Sequence, residues 1–547
     1  MNLPPSPIRK GRFALLQKLS GQPAFSAFMM AAGIITAFCL AFNPRWETND
    51  DVGMSMRAHG YGYVAYGSPN LVYSNVLWGY LVRAIPAING VLGYSIATLA
   101  VLLVAGWAIL YFLLRFGAGY LTGLLAIILI VARPTLFPQF TMNAGLLTVA
   151  AVIGWQVYAR VGGVGNLAAA CLLAFFGYLI RDKEFLLVLG VALPLLPWRA
   201  LREWRQMQVA FLLLGMAIAS AAAFDHWSYS GPEWQNFKEV KASITSFVNY
   251  GAGRQIKQHP EIMARHGYSK NDVALISNWF FVDPQIADPK SLNAMLAELG
   301  PLPMQEGSFQ SGITALKALA DPVLLPLILP ALLLLVLAPS RVVILAWMLC
   351  LAALFAIGIM GRPGVLRVYV PLISLLFAAP LVLGKCKEGI RQKITALILF
   401  AACIGNAYVL IPQALESKQE MQQAQKDIHS LGAGFFVSWG SAFPFESAYP
   451  VLSNDIDSRN IRLYALNTVT LAPFSVATAE QAAGRGMVER LRTGTGIPII
   501  LSNEQIGLLR VYCMERLNSQ LRILNGYDTP LLSAYQIRCE RLAGGAR

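Results

Sequence analysis

The chain has 547 residues, of which 56% are hydrophobic and 13% are charged. A water-soluble protein of this length has no interior large enough to bury so much apolar surface. The formal net charge of +14 would fit nucleic-acid binding in a soluble protein, but most cations stand in short segments beside apolar runs. Membrane topology explains cations in such positions, so nucleic acid is not an expected partner.

Continuous apolar runs of about 20 residues are typical of membrane-spanning helices and exclude a transmembrane β-barrel. The first run, FSAFMMAAGIITAFCLAF, follows four basic residues and has no small-residue cleavage site after it. It therefore predicts an uncleaved signal anchor with a cytoplasmic N-terminus at residues 1–24. The four basic residues are Arg9, Lys10, Arg12 and Lys18.

Ten further spans bring the predicted total to about 11 and complete a bundle over residues 25–412. The arrangement sends the basic connections to the cytoplasm, as the positive-inside rule requires, and indicates a multi-pass protein of a bacterial inner membrane. The spans are expected near residues 92–114, 118–132, 143–159, 165–180, 185–198, 208–224, 319–338, 342–360, 366–384 and 394–412. The basic connections are Arg115, Arg160, WRALREWRQ, Arg341 and GKCKEGIRQK.

The same topology exports four larger pieces: residues 43–91, RDKE at 181–184, residues 225–318, and residues 413–547. The last piece is markedly more polar and opens with a charged helical stretch, ESKQEMQQAQKDIHSL. Three strand-like runs follow, GFFVSW, IRLYAL and IPIILS, which predict an extracytoplasmic soluble α/β domain. Cys513 and Cys539 both fall in this domain, where an oxidising compartment would favour a disulfide.

Two adjacent carboxylates, Asp50 and Asp51, follow the first span in RWETNDDVGMSM. Thr48 and Asn49 are good helix caps, so both acids would lie in a first helical turn and complement the helix dipole. Adjacent acids point about 100° apart on a helix and repel each other, so one of them should face something else. The functional alternative is a general base, or a ligand for a divalent cation such as Mg²⁺ or Mn²⁺, at the mouth of a cavity.

At these residues the chain resembles the GT-C glycosyltransferases, which are polytopic enzymes that use polyprenyl-linked sugars. The resemblance consists of a first span, an acidic loop with TNDDVGM, further spans and a polar C-terminal domain. The stretch GYGYVAYGSPNLVYSNVLWGYLVRAIP is similar to the loop helices before the second span of bacterial members. The resemblance implies that the family's first-loop acid corresponds to Asp50 or Asp51.

Five cations stand in predicted outer loops, where the positive-inside rule disfavours them. Two interpretations remain open: they bind an anionic lipid phosphate, or they pair with nearby acids or extend to the membrane surface. Asp182 and Glu184 are the nearest acids in sequence to two of them. The five are Arg133, Arg181, Lys183, Arg362 and Arg367.

Weaker second-site candidates are His59, Asp182, Glu184 and Asp283, together with Asp225 and His226 beside the aromatic stretches of the long loop. His59 lies about 12 Å along a helix from Asp51 and cannot touch it directly. The stretches FDHWSYSGPEWQNF and ISNWFFVDPQIADP suit either sugar stacking or the membrane interface, with the interface favoured.

The sequence has no GxxxxGK[ST], HExxH or GxSxG motif. From the apolar runs and the strand-like runs, we expect a fold that is mainly α, a polytopic transmembrane helix bundle with a C-terminal α/β domain. The resemblance to the GT-C enzymes implies transfer of a sugar from a polyprenyl-phosphate donor to an envelope glycan, lipid or protein acceptor. A lipid-linked glycan flippase or a non-catalytic assembly protein is the alternative. The predicted spans hold few ionisable residues, which disfavours ion-coupled transport.

Overall fold

The computed structural model describes residues 22–249, 251–300, 308–384, 389–432 and 434–541. The basic residues before the first apolar run, and residues 385–388 of the predicted cytoplasmic connection GKCKEGIRQK, lie outside these ranges. The described chain is mainly helical, with one small sheet near its C-terminus.

Seven helices in the described ranges are long and apolar enough to cross a membrane, which indicates a membrane protein. This number is lower than the 11 or so spans predicted from the sequence. The seven are Pro23–Phe42, Gly93–Arg115, Phe140–Val161, Arg205–Ser228, Arg341–Ile359, Leu366–Leu383 and Gly389–Leu431.

The other predicted spans are short or broken. Tyr120–Leu136 and Val164–Ile180 have 17 residues each and extend only about 26 Å, less than the hydrocarbon thickness of a bilayer. The span expected at 185–198 coincides with Asp182–Val191, a helix of 10 residues that gives way to a short 3₁₀ turn containing Pro194. The segments Ser308–Ala320 and Leu325–Leu337 meet at a bend of 86°.

Shorter helices lie between and after these elements. Asn49–His59 carries the two neighbouring acids and is called the acid helix below. The remaining helices are Val76–Ala84, Trp198–Glu203, Pro232–Asn249, Ala252–Ile256, Pro260–Arg265, Lys270–Ser277, Pro289–Leu299, Phe445–Ala448, Val476–Ala482, Met487–Arg492 and Asn503–Leu517.

The C-terminal sheet has five strands, which are β1 Phe435–Trp439, β2 Arg462–Leu466, β3 Ile497–Ile500, β4 Ser519–Asp528 and β5 Ser533–Arg541. Their order in the sheet is β2-β1-β3-β5-β4. Strand β1 pairs in parallel with β2 and β3, whereas β5 runs antiparallel to β3 and β4. The three strand-like runs of the sequence form β1, β2 and β3, but β4 and β5 were not predicted.

A disulfide joins Cys513 to Cys539 and links the helix Asn503–Leu517 to β5, a pairing that the sequence had left open. The charged stretch ESKQEMQQAQKDIHSL is helical as predicted. It is the end of Gly389–Leu431, a helix of 43 residues that passes the predicted domain boundary at residue 413 without a break.

Two apolar cores organise the described residues. The larger core fills the helix bundle and reaches into the acid helix and the edge of the C-terminal domain, through Val52, Phe443 and Phe474 among others. The second core packs residues 244–295 of the long loop against the sheet. The long loop and the C-terminal domain therefore form one packed body, which lies beside the acid helix at one end of the bundle.

Candidate functional site

The acid helix begins after Thr48 and is capped at its end by Gly60, whose φ of +76° is the left-handed conformation that favours glycine. Its first turn carries Asp50 and Asp51, whose side chains diverge as the helical geometry predicts. Asp51 is fully buried, and its Oδ1 accepts hydrogen bonds from the Tyr94 hydroxyl at 2.9 Å and the Phe140 N–H at 3.0 Å.

Burial raises the pKa of the Asp51 carboxyl well above its ordinary value. The two groups that bond to it stand at the first residues of the helices Gly93–Arg115 and Phe140–Val161. Asp51 therefore fastens the acid helix to the bundle, and its oxygens face away from open space.

Asp50 instead lines a cavity of about 350 Å³ between the acid helix and the C-terminal domain. Arg57, seven residues later on the same face of the helix, lines the cavity with it. The first loop, residues 43–91, also contributes Asn49, Tyr63 and Tyr73 to the cavity lining. The long loop and the C-terminal domain supply Asn278, Trp279, Gly440, Ser441, Phe445, Asn467, Thr468, Val469 and Gln505.

The Asp50 carboxylate lies 3.5 Å from the guanidinium of Arg367, which stands at the start of the helix Leu366–Leu383. Both side chains are 28% exposed, so solvent screens the pair and its contribution to stability is small. The contact still orients the Asp50 carboxylate. It also brings together a residue near the start of the chain and a predicted outer-loop cation from its middle.

Arg57 is a buried cation whose described hydrogen-bond partners are all neutral. It is 2% exposed, and it donates hydrogen bonds to the Leu71 carbonyl and the Tyr63 hydroxyl. Its guanidinium lies 5.1 Å from the ring centre of Tyr73, and its Nε has no hydrogen-bond partner among the described residues. A buried guanidinium remains charged, so this arrangement favours an anionic ligand.

Arg181 and Lys241 both lie close to Tyr73. Arg181 donates a hydrogen bond to the Tyr73 carbonyl at 3.0 Å, and the Lys241 ammonium lies 5.7 Å from the Tyr73 ring centre. Burial, followed by the positive charges of Arg57, Lys183 and Arg181, lowers the pKa of Lys241 to about 8. These three cations therefore lie close enough to Lys241 to disfavour its charged form.

The acids near this group do not balance its five cations, Arg57, Arg181, Lys183, Lys241 and Arg367. Asp182 and Lys183 are both exposed at the start of their helix, and Glu184 is 3% exposed. Burial raises the pKa of Glu184 well above its ordinary value despite the charges of Arg181 and Arg367, and its Oε1 has no hydrogen-bond partner in the described chain. Of Asp50, Asp182 and Glu184, Asp50 is the acid that lines the cavity.

Other predicted site residues lie outside the cavity lining. Arg133 forms an ion pair with Glu47 at 2.8 Å, and Arg362 is exposed three residues after the end of the helix Arg341–Ile359. The Nε2 of His59 accepts a hydrogen bond from the Tyr94 N–H at 3.1 Å, and burial lowers the pKa of His59 to about 4.

The acids of the long loop also have structural partners. Asp283 accepts a hydrogen bond from the Tyr512 hydroxyl at 2.7 Å and lies in the packed body of loop and sheet. Asp225 accepts one from the Val76 N–H at 2.7 Å. These hydrogen bonds give both carboxylates a role in stabilising the fold.

Sequence reasoning did not include Arg57 or Lys241 among the site residues. A signal existed for Arg57, because a spacing of seven places it on the Asp50 face of the acid helix. Lys241 carried no such signal, since its position depends on how the long loop folds back toward Tyr73.

A metal ion bound by both Asp50 and Asp51 would have few free oxygen atoms to coordinate, because both carboxylate oxygens of Asp51 accept hydrogen bonds within the protein. Within the described ranges, one group of three potential metal ligands occurs elsewhere, at His429, Asp455 and Asp457. Two of its three members are exposed. The cavity residues are better suited to an organic anion than to a metal cation.

No known family model matches this sequence, and a search of curated proteins finds no relative.

Proposed function

We propose that this protein is a membrane glycosyltransferase of the GT-C type. It would move a sugar from a polyprenyl-phosphate donor to an acceptor on the outer face of the inner membrane. The observation that carries the proposal is the pairing of one cavity-lining carboxylate, Asp50, with an excess of cations at the end of an apolar helix bundle. The chemistry of that pairing fits a sugar phosphate.

The donor has two parts with opposite solubility, and the site has a matching surface for each. The apolar helices Gly93–Arg115, Phe140–Val161 and Leu366–Leu383 begin beside the acid helix, so a polyprenyl tail can stay in the lipid while its phosphate reaches the cavity. Arg57 lines the cavity, and Lys241 and Arg367 contact two other lining residues, Tyr73 and Asp50. Charge-assisted hydrogen bonds from these groups would hold the phosphate.

The same cations would act in the transition state. As the bond between the anomeric carbon and the phosphate oxygen breaks, negative charge develops on the leaving phosphate. Fixed guanidinium and ammonium groups stabilise that developing charge without reorganising at the moment of reaction.

Asp50 would serve as the general base. Its carboxylate takes the proton of an acceptor hydroxyl while that oxygen bonds to the anomeric carbon from the face opposite the leaving phosphate. The polyprenyl phosphate departs as the anion, and the proton stays on Asp50. This single displacement inverts the configuration of the anomeric carbon.

The test compares Asp50→Asn with Asp51→Asn in the purified full chain, reconstituted in nanodiscs with lipid-linked sugars and a pool of acceptors. We expect Asp50→Asn to lower the transfer rate by about 10²- to 10⁴-fold, which is the usual contribution of a general base. Asp51→Asn keeps the oxygen that the Tyr94 hydroxyl and the Phe140 N–H bond to, so its rate should stay within about threefold of the wild type.

Two outcomes would contradict the proposal. Equal rates for wild type and Asp50→Asn would remove the base from the mechanism. A wild-type chain that transfers no sugar from any lipid donor, but moves the lipid across vesicle membranes, would instead be a transporter.

A further inference from the structure

The cavity has a second wall that the proposed chemistry does not use. The three parallel strands end at it: Gly440 and Ser441 follow β1, Asn467 and Thr468 follow β2, and Gln505 lies in the first turn of the helix after β3. In open α/β sheets, ligands bind outside the carboxyl ends of parallel strands, where neighbouring connections leave in opposite directions. Here β2 and β3 lie on opposite sides of β1, so the place where neighbouring connections diverge is the end of β1, at Gly440.

The polar groups of this wall are neutral. Amide and hydroxyl side chains line it, from Asn278, Ser441, Asn467, Thr468 and Gln505. Among the described residues that line the cavity, the two charged ones, Asp50 and Arg57, both belong to the acid helix opposite. The wall therefore suits a ligand rich in hydroxyl groups and without charge.

Trp279 adds an aromatic surface to the wall and is held in a strained conformation. Its φ of +69° lies in the left-handed region, which is rare for a bulky side chain. Its ring packs against Phe281 with ring centres 5.9 Å apart. Strain of this kind persists where the surrounding structure imposes it, and it commonly occurs at ligand sites.

Gly440 keeps the wall open beside this ring. A β-carbon added there would lie 3.8 Å from the Gln505 Nε2 and 4.0 Å from the Trp279 Cδ1. Any larger side chain at residue 440 would therefore extend between the indole and the amide. Its φ of +60° also favours glycine at this position.

We propose that this wall binds a pyranose ring of a neutral glycan acceptor. The indole of Trp279 stacks on the C–H face of the sugar, and the amide and hydroxyl groups bond to its hydroxyls. A pyranose combines an apolar face with a polar edge, which matches an aromatic ring bordered by neutral donors and acceptors. The assignment rests on the proposed function and narrows its acceptor from a glycan, lipid or protein to a glycan.

The arrangement also explains the division of charge between the two walls. A donor phosphate belongs with the cations near the acid helix, whereas an acceptor sugar on the opposite wall presents a hydroxyl toward Asp50. An acceptor that carried phosphate would need cations on the neutral wall, and the described residues there provide none.

The test measures saccharide binding without any lipid donor. The purified full chain in nanodiscs is titrated with the methyl pyranosides of glucose, galactose, mannose and N-acetylglucosamine. We expect saturable binding of at least one of them, weakened about tenfold in Trp279→Gly and less in Trp279→Phe, which keeps a stacking ring. Glycine adopts the left-handed conformation freely, so Trp279→Gly removes the indole without adding backbone strain.

Two further variants separate recognition from general damage. Thr468→Val keeps the shape of the side chain but removes its hydroxyl, which lies 3.3 Å from the Tyr73 hydroxyl, and we expect binding to weaken about threefold to tenfold. Trp198→Ala removes an exposed tryptophan outside the cavity lining and should leave binding unchanged.

Binding that is equal in wild type, Trp279→Gly and Thr468→Val would overturn the inference, as would a wild-type chain that saturates with none of the four sugars. The result is independent of sugar transfer. Saccharide binding that depends on Trp279, in a chain without transfer, would contradict the proposed function alone. Transfer with an acceptor KM unaffected by Trp279→Gly would contradict this inference alone.

Discussion

The charge of Lys241 predicts that donor binding depends on pH. Lys241 lies beside Tyr73, and burial together with Arg57, Lys183 and Arg181 lowers its pKa from 10.5 to about 8, with Asp50 acting in the opposite direction. Protonated Lys241 attracts a phosphate, and the neutral amine does not. Because the pKa of the unliganded protein is the lowered one, the ammonium is lost as the pH rises through about 8, and donor affinity is lost with it.

The expected magnitude follows from the protonated fraction. With a pKa of about 8, Lys241 is roughly nine-tenths protonated at pH 7 and one-tenth protonated at pH 9. If binding requires the ammonium, donor affinity should fall about tenfold between these values, equivalent to about 1.4 kcal/mol. A phosphodiester keeps the same charge over this range, so the ligand contributes no pH dependence of its own.

The assay titrates the purified chain with a short-chain prenyl phosphodiester sugar at pH 7, 8 and 9. Lys241→Arg serves as the matched variant, because a guanidinium stays charged throughout and should make the affinity nearly independent of pH. Lys241→Met should bind weakly at every pH. An unchanged wild-type affinity between pH 7 and 9, or the same decline in Lys241→Arg, would refute the reasoning.

Three further predictions follow from named contacts. Arg367→Met should raise the donor KM about tenfold through loss of a charge-assisted contact, whereas Arg362→Met, at an exposed position outside the cavity lining, should change it less than twofold. Asp51→Leu should destabilise the protein by about 2 kcal/mol, measured as a lower melting temperature, because it leaves buried donors unpaired; a melting temperature equal to that of Asp51→Asn would contradict this role. Replacing Cys513 and Cys539 by alanine should cost roughly 3 kcal/mol and make the melting temperature insensitive to reductant, and a variant as stable as the oxidised wild type would show that the disulfide adds nothing.

Local chemistry made part of this molecule predictable. A helix separates adjacent side chains by about 100°, and this rule anticipated that the two neighbouring acids would have different surroundings. Apolar composition anticipated β1 to β3, whose residues are mostly buried. The same rule failed for β4, because most of its residues are exposed and show no alternating pattern.

Hydropathy alone overestimated the number of spans for a physical reason. An apolar segment buried inside a bundle has the same composition as one that faces lipid, so composition does not distinguish a helix of 17 residues from a longer one. It also does not detect the bend of 86° between Ser308–Ala320 and Leu325–Leu337. The neutral wall of the cavity was unpredictable for another reason: its side chains come from separate turns that meet only when the sheet has formed.

The spacing between the two walls depends on the loop that follows the acid helix. Its backbone pairs with the C-terminal domain where Val476 N–H bonds to the Tyr63 carbonyl at 2.9 Å and Leu463 N–H bonds to the Gly62 carbonyl at 3.0 Å. Through Asp51 the acid helix is fixed to the bundle, while Trp439 donates a hydrogen bond to the Asn278 carbonyl and holds the segment that carries Trp279. The distance between Asp50 and Trp279 is thus set by contacts within the protein rather than by a ligand. Such preorganisation is what an in-line displacement requires, since it avoids the entropic cost of ordering the site around two substrates.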